Sequence, residues 1–172
     1  MGSKAYRHAL LAATVMGVMV FGLPAHAEDE DLPALAAAMK NVPTTLEKGL
    51  QASEQTGKPI SAKFEVEDGK LQLSIYTMKP DDFTEVIVAP DSGSVKSAEK
   101  ITDAEDLKAA TSQKAAMDKT TLSLAAVTGQ AAQEAAGSRA ISIFPELRNG
   151  HPVAVITLLR DDKFTKVLKK LD

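Results

Sequence analysis

Two regions of the chain alternate apolar and polar side chains, and a helical pattern precedes each. In the first, Ile60, Ala62, Phe64 and Val66 alternate with Ser61, Lys63, Glu65 and Glu67, the period of a half-buried strand. Asp68-Gly69 accepts positive φ, so a tight hairpin turn is predicted there. Leu71, Leu73, Ile75 and Thr77 then alternate with Gln72, Ser74, Tyr76 and Met78 in a second strand. Pro80-Asp81-Asp82 reads as the next turn, residues 83–89 as a third strand, and Asp91-Ser92-Gly93 as its close. The second region repeats the plan, with strands predicted over residues 141–147, 153–160 and 164–171.

Helical spacing fills most of the remainder. Pro33 suits the first turn of a helix over residues 34–40, which Pro43 ends. Thr44-x-x-Glu47 has the form of a capping box, opening a helix to about residue 56 with Leu46 and Leu50 on one face and Gly57 as its stop. Residues 96–101 read as a linker. Thr102-x-x-Glu105 is a second capping-box pattern and opens an alanine-rich helix to about residue 117. A further helix is predicted over residues 122–136, stopped by Gly137.

The two regions align as copies. A shift of 81 residues, from Ile60 to Ile141, lays residues 60–86 on residues 141–167 without a gap. Ser61 meets Ser142, Glu65 meets Glu146, Gly69 meets Gly150, Ile75 meets Ile156, and Phe83-Thr84 meets Phe164-Thr165. The expected fold is therefore α+β, with two tandem repeats, each a helix followed by a three-stranded antiparallel meander. The helices should pack on one face of each sheet. Residues 28–100 form the first repeat and residues 101–172 the second. Phe64, Leu73, Ile75, Ile143 and Ile156 should point inward. Within the second meander, Pro145 cannot donate a ladder hydrogen bond, which predicts an edge strand. Residues 153–159 are apolar on both faces and suit a central strand. Lys163, Lys166, Lys169 and Lys170 suit the guard of an exposed edge.

The N-terminus changes the picture of where the chain works. Lys4 and Arg7 precede an apolar run over residues 9–23, and Ala25-His26-Ala27 is a small-x-small cleavage pattern. Residues 1–27 thus read as a secretory signal, leaving a mature chain from Glu28 in the periplasm or secreted, with no membrane span after cleavage. The absence of cysteine excludes disulfides and lipid attachment at cysteine. Without Lys4 and Arg7 the chain keeps 18 basic and 23 acidic residues, a balance of −5. That charge, with no tryptophan and few other aromatics, argues against a nucleic-acid partner.

The run Phe64-Glu65-Val66-Glu67-Asp68-Gly69-Lys70-Leu71, followed by Val86-Ile87-Val88-Ala89-Pro90-Asp91-Ser92-Gly93-Ser94-Val95, resembles the PepSY family. The resemblance covers most of the mature chain as two tandem copies and is stronger in the first. The second copy stops at Asp172, before any closing Asp-x-x-Gly-x-Val. The resemblance implies an exported protein without catalytic residues. It implies a role in binding another protein, with inhibition or regulation of a peptidase as the action.

Candidate chemistry is sparse. His151, the single histidine after residue 27, lies between Gly150 and Pro152 and reads as a turn residue, because no nucleophile elbow accompanies it. Asp81-Asp82 and Asp161-Asp162 stand at equivalent turns and are the candidates for a cation, but the spacing of a calcium loop is missing. No catalytic residue, metal or cofactor is therefore expected, and the chain reads as a binding protein rather than an enzyme. The alternatives are a sensor or carrier, holding a small ligand or cation between helix and sheet or between repeats, and a structural envelope protein. The candidate interaction surface is the sheet face turned away from the helix. There Tyr76 and Met78 belong to a mostly polar first repeat, whereas Phe144, Val153, Val155 and Leu159 make the second repeat apolar. Such a face needs a cover, either from within the chain or from a partner.

Overall fold

The computed structural model describes residues 32–80 and 82–172. The predicted signal over residues 1–27, the acidic run that follows it, and Asp81 lie outside the described residues. The turns expected from Asp-Gly and Asn-Gly form as read. Asp68 and Gly69 have φ of 50° and 71°, and Asn149 and Gly150 have 52° and 81°. Two successive positive φ angles match the right-handed twist of a hairpin. Asp161 and Asp162 make the same turn without glycine, at 49° and 61°.

These turns fix the order of elements. Helices α1 (Leu32–Met39) and α2 (Leu46–Ser53) precede strands β1 (Lys58–Glu67), β2 (Lys70–Met78), β3 (Phe83–Val88) and β4 (Val95–Lys100). Helices α3 (Ala104–Met117) and α4 (Leu124–Glu134) lead into β5 (Arg139–Arg148), β6 (His151–Arg160) and β7 (Lys163–Lys170). The α+β class is as expected. All seven strands join one antiparallel sheet, in the order β4-β3-β2-β1-β5-β6-β7.

Four expectations need correction. The stretch read as a linker is β4, which pairs with β3. Its Lys, Ser, Ala and Glu are weak strand formers, so the residues alone do not signal it. The turn at Gly93 returns the chain along the open edge of β3, with Ala89 N–H donating to Ser94 O at 2.9 Å. Second, the strand holding Pro145 is not an edge, since β5 lies between β1 and β6. The β1–β5 ladder pairs only Ala62 with Ile143 and Lys63 with Ser142, so Pro145 lies past it and its missing N–H breaks no rung there. Third, the helix caps sit one residue later than the capping boxes predict. Thr45 Oγ1 accepts from Lys48 N–H at 3.2 Å, and Asp103 accepts from Glu105 and Asp106 N–H at 2.8 and 3.1 Å. Thr44 is instead held by its backbone, donating to Pro90 O and accepting from Arg139. Fourth, the helices do not share one face. Helix α2 lies on the Leu73 and Ile75 side, where a Cβ at Gly49 would stand 2.2 Å from Leu73 Cδ2, whereas α3 lies on the Lys63 and Phe144 side.

Two other expectations hold. β6 is central to its meander and lysine-rich β7 is an edge. Phe64, Leu73, Ile75, Ile143 and Ile156 are fully buried. Residues directly opposed across antiparallel strands share a face. The pairings therefore place Val86, Ile75, Ala62, Ile143, Ile156 and Val167 in one apolar rung running from β3 to β7. Leu46 and Leu50 of α2, and Leu124 and Val127 of α4, belong to the same core. Truncating Ile75 or Ile156 to alanine is expected to cost about 2–5 kcal/mol, measured as a lower urea midpoint with little change in slope.

Candidate functional site

The opposite face of the sheet carries the site. Helix α3 is rich in alanine, and its buried residues are Ala110, Gln113, Ala116 and Met117. Small side chains let it lie close to the sheet, where it touches β1, β2, β5 and β6. Over the first half of the sheet the contact is closed and polar. Asp106 of α3 faces Tyr76 of β2; burial first, and then that carboxylate, raise the tyrosine pKa above its ordinary value. Glu65 pairs with Lys63 and accepts from Ser74 Oγ and from Gln72 Nε2 at 3.1 Å. Burial alone would raise its pKa, but these bonds together hold it below the ordinary glutamate value. Glu85, beside it, is raised by burial and then by the charge of Glu65.

Over the second half, beside α3, lies a cleft of about 450 Å³. Its floor is Ser142, Phe144, Val155 and Thr157 from β5 and β6. Ala109, Ser112 and Gln113 of α3 form one wall, and Leu32 and Leu35 of α1 form part of another. Phe164 and Lys166 of β7 and Lys63 of β1 complete the lining, with Pro145, Glu146 and Arg148 farther along β5. Gln113 is 8% exposed, and its Oε1 has no hydrogen-bond partner. A buried amide oxygen left this way costs about 1–3 kcal/mol.

The residues read as an interaction surface are partly brought together here. Phe144 and Val155 line the cleft and are half-buried. Val153 and Leu159 are buried at 6% and 7% exposure. Tyr76 and Met78 lie on β2, outside the cleft lining, and Tyr76 is engaged by α3. The cover that the apolar face requires thus comes in part from α3. Sequence reasoning missed Gln113 as a site residue; its one signal was a lone amide in an alanine-rich helix.

The other candidates are placed elsewhere. His151 is exposed at the start of β6, with Nδ1 2.9 Å from a carboxylate oxygen of Asp172. Asp82 pairs with Lys100, and Asp162 with Lys40 at 3.4 Å. Among the described residues no three His, Cys, Asp or Glu side chains converge as metal ligands. No described helix is long and apolar enough to cross a membrane.

Replacing Gln113 by methionine is expected to raise the stability of the unliganded protein by about 1–3 kcal/mol, read from urea unfolding, because it removes the unpaired buried amide. The polar network predicts opposite pH behaviour for its two glutamates. Glu85 has a raised folded pKa, so its contribution is favourable below the ordinary glutamate range and is lost as pH rises through the folded value. Glu65 has a lowered one, so its contribution is present above that range and is lost as pH falls through the folded value. Hence Glu85→Gln should raise Tm at neutral pH and Glu65→Gln should lower it, both differences shrinking in acid.

Comparison with family models, with curated proteins and with solved structures returned no match to this chain, so the geometry of the cleft carries the functional argument.

Proposed function

We propose that this chain is an exported, non-enzymatic binding protein that holds an apolar small ligand in the cleft between α3 and the sheet. One observation carries the reading: a concave space of about 450 Å³ in which Leu35, Phe144, Val155 and Phe164 meet a few polar groups. Small-molecule sites are typically concave, mostly apolar and about 300–1,000 Å³ in volume. The space lies between helix and sheet, where the carrier or sensor alternative puts its ligand. Export rests on the signal pattern over residues 1–27.

The reading of the chain as two PepSY-like repeats, residues 28–100 and 101–172, has support in the register. Ala62 pairs with Ile143, its own counterpart under the shift of 81 residues. The register shift at Pro59/Ser61 in β1 likewise recurs at Ala140/Ser142 in β5. Two copies of one unit would meet in this way about a local two-fold axis. The resemblance to that family favours a second reading, in which the chain binds and restrains a peptidase. The observation in its favour is the outer strand β7, whose Leu168 is 48% exposed and whose free edge can accept a strand from a partner.

The neutral apolar dye N-phenylnaphthylamine should bind the mature chain with a rise in fluorescence. Ala109→Trp, which fills the cleft, and Phe144→Asp, which charges its floor, should abolish that rise in variants with native circular dichroism. Binding that survives both variants would exclude the cleft. Mass spectrometry of the exported protein should find a chain beginning at Glu28; a retained Met1 would overturn export with cleavage.

A further inference from the structure

We propose that the ligand of this cleft is an aliphatic carboxylate whose head group lies on a polar rung of the sheet; this rests on the reading of the cleft as a ligand site. Four neighbouring strands contribute one residue each to the rung. Lys63 of β1 is opposite Ser142 of β5, Ser142 is opposite Thr157 of β6, and Thr157 is opposite Lys166 of β7. Directly opposed residues share a face, and all four line the cleft. Strands lie about 4.8 Å apart, so two hydroxyls stand side by side with a lysine beyond each.

That pattern is made for an anion. Two O–H groups can donate to the two oxygens of one carboxylate, and the flanking ammonium groups are on stems long enough to lean in. Lys63 is shared with Glu65, but Lys166 forms no ion pair among the described residues. Of the four charged residues lining the cleft, Lys63, Arg148 and Lys166 are basic, and the acid, Glu146, is paired with Arg148. Gln113 offers a third donor from the helix wall. It is 8% exposed with its amide oxygen unpartnered, and rotation of the amide presents its NH₂ group without breaking a bond at that oxygen.

The chain of the ligand follows from the next rung. Phe144 is opposite Val155 on the same face, and Leu35 and Phe164 close the sides. A short acid would leave this apolar surface wet, whereas an alkyl chain buries it.

Calorimetry on the mature chain with decanoate and with decanol tests the proposal. Decanoate should bind at a single site, about tenfold or more tighter than decanol, the value of one hydrogen bond to a charged group. Thr157→Val, which keeps the shape and removes the hydroxyl, should cost decanoate about tenfold and leave decanol unchanged. Lys166→Gln should cost less, and its effect should fade at high salt. Circular dichroism confirms that each variant is folded. If both compounds bind alike and neither variant separates them, the carboxylate inference is wrong while the cleft remains a ligand site. If neither compound binds, the small-ligand reading falls and this inference falls with it.

Discussion

The register of β1 against β5 is the constraint on which the rest of the molecule depends. It places Ala62 opposite Ile143 and Lys63 opposite Ser142, and with these two pairs it aligns both halves of the sheet. On one face it makes a continuous apolar rung from Val86 to Val167. On the other it lines up Lys63, Ser142, Thr157 and Lys166. A slip of one residue would exchange the faces of one half relative to the other, burying hydroxyls under α2 and α4. Arg139 reinforces the join. Its guanidinium donates to Met39 O, Val42 O and Thr44 O at 3.1, 3.0 and 2.9 Å, and its Cζ stands 5.9 Å from the centre of the Phe64 ring. The segment joining α1 to α2 is thereby tied to β5. Burial lowers the arginine pKa, and each carbonyl it reaches helps offset that desolvation.

The two faces solve different problems. Beneath α2 and α4 the packing is largely apolar: Leu46, Leu50, Phe64 and Ile75 have essentially no exposure. Gly49 allows α2 to approach Leu73 more closely than any larger residue would. Beneath α3 the face is graded. Over the first half Glu65 and Ser74 satisfy one another, and Asp106 faces Tyr76. Over the second half apolar residues and hydroxyls are left beside open space, with an unpaired amide oxygen at Gln113. Costs of this kind cluster where a protein keeps a surface for something other than folding.

Much of this was legible in the residues, and the reason is locality. Positive φ at Asp68-Gly69 and Asn149-Gly150, and inward-facing Phe64, Ile75 and Ile156, are decided by side chains within a few positions of one another. A turn or an alternating strand carries its own signal. What only the tertiary structure decided depends on residues far apart. β4 is a strand because β3 offers it an edge; Thr45 rather than Thr44 caps α2 because Pro90 and Arg139 hold Thr44. Pro145 sits within a central strand because the ladder to β1 ends before it. Helix α3 covers the second face because its alanines carry no strong stripe to assign it to the first. The cleft needs all of these at once. Lys63 and Lys166 are 103 positions apart, and no period in the chain brings them together. Backbone hydrogen bonds between strands do that, and those are set by register rather than by any neighbour in sequence.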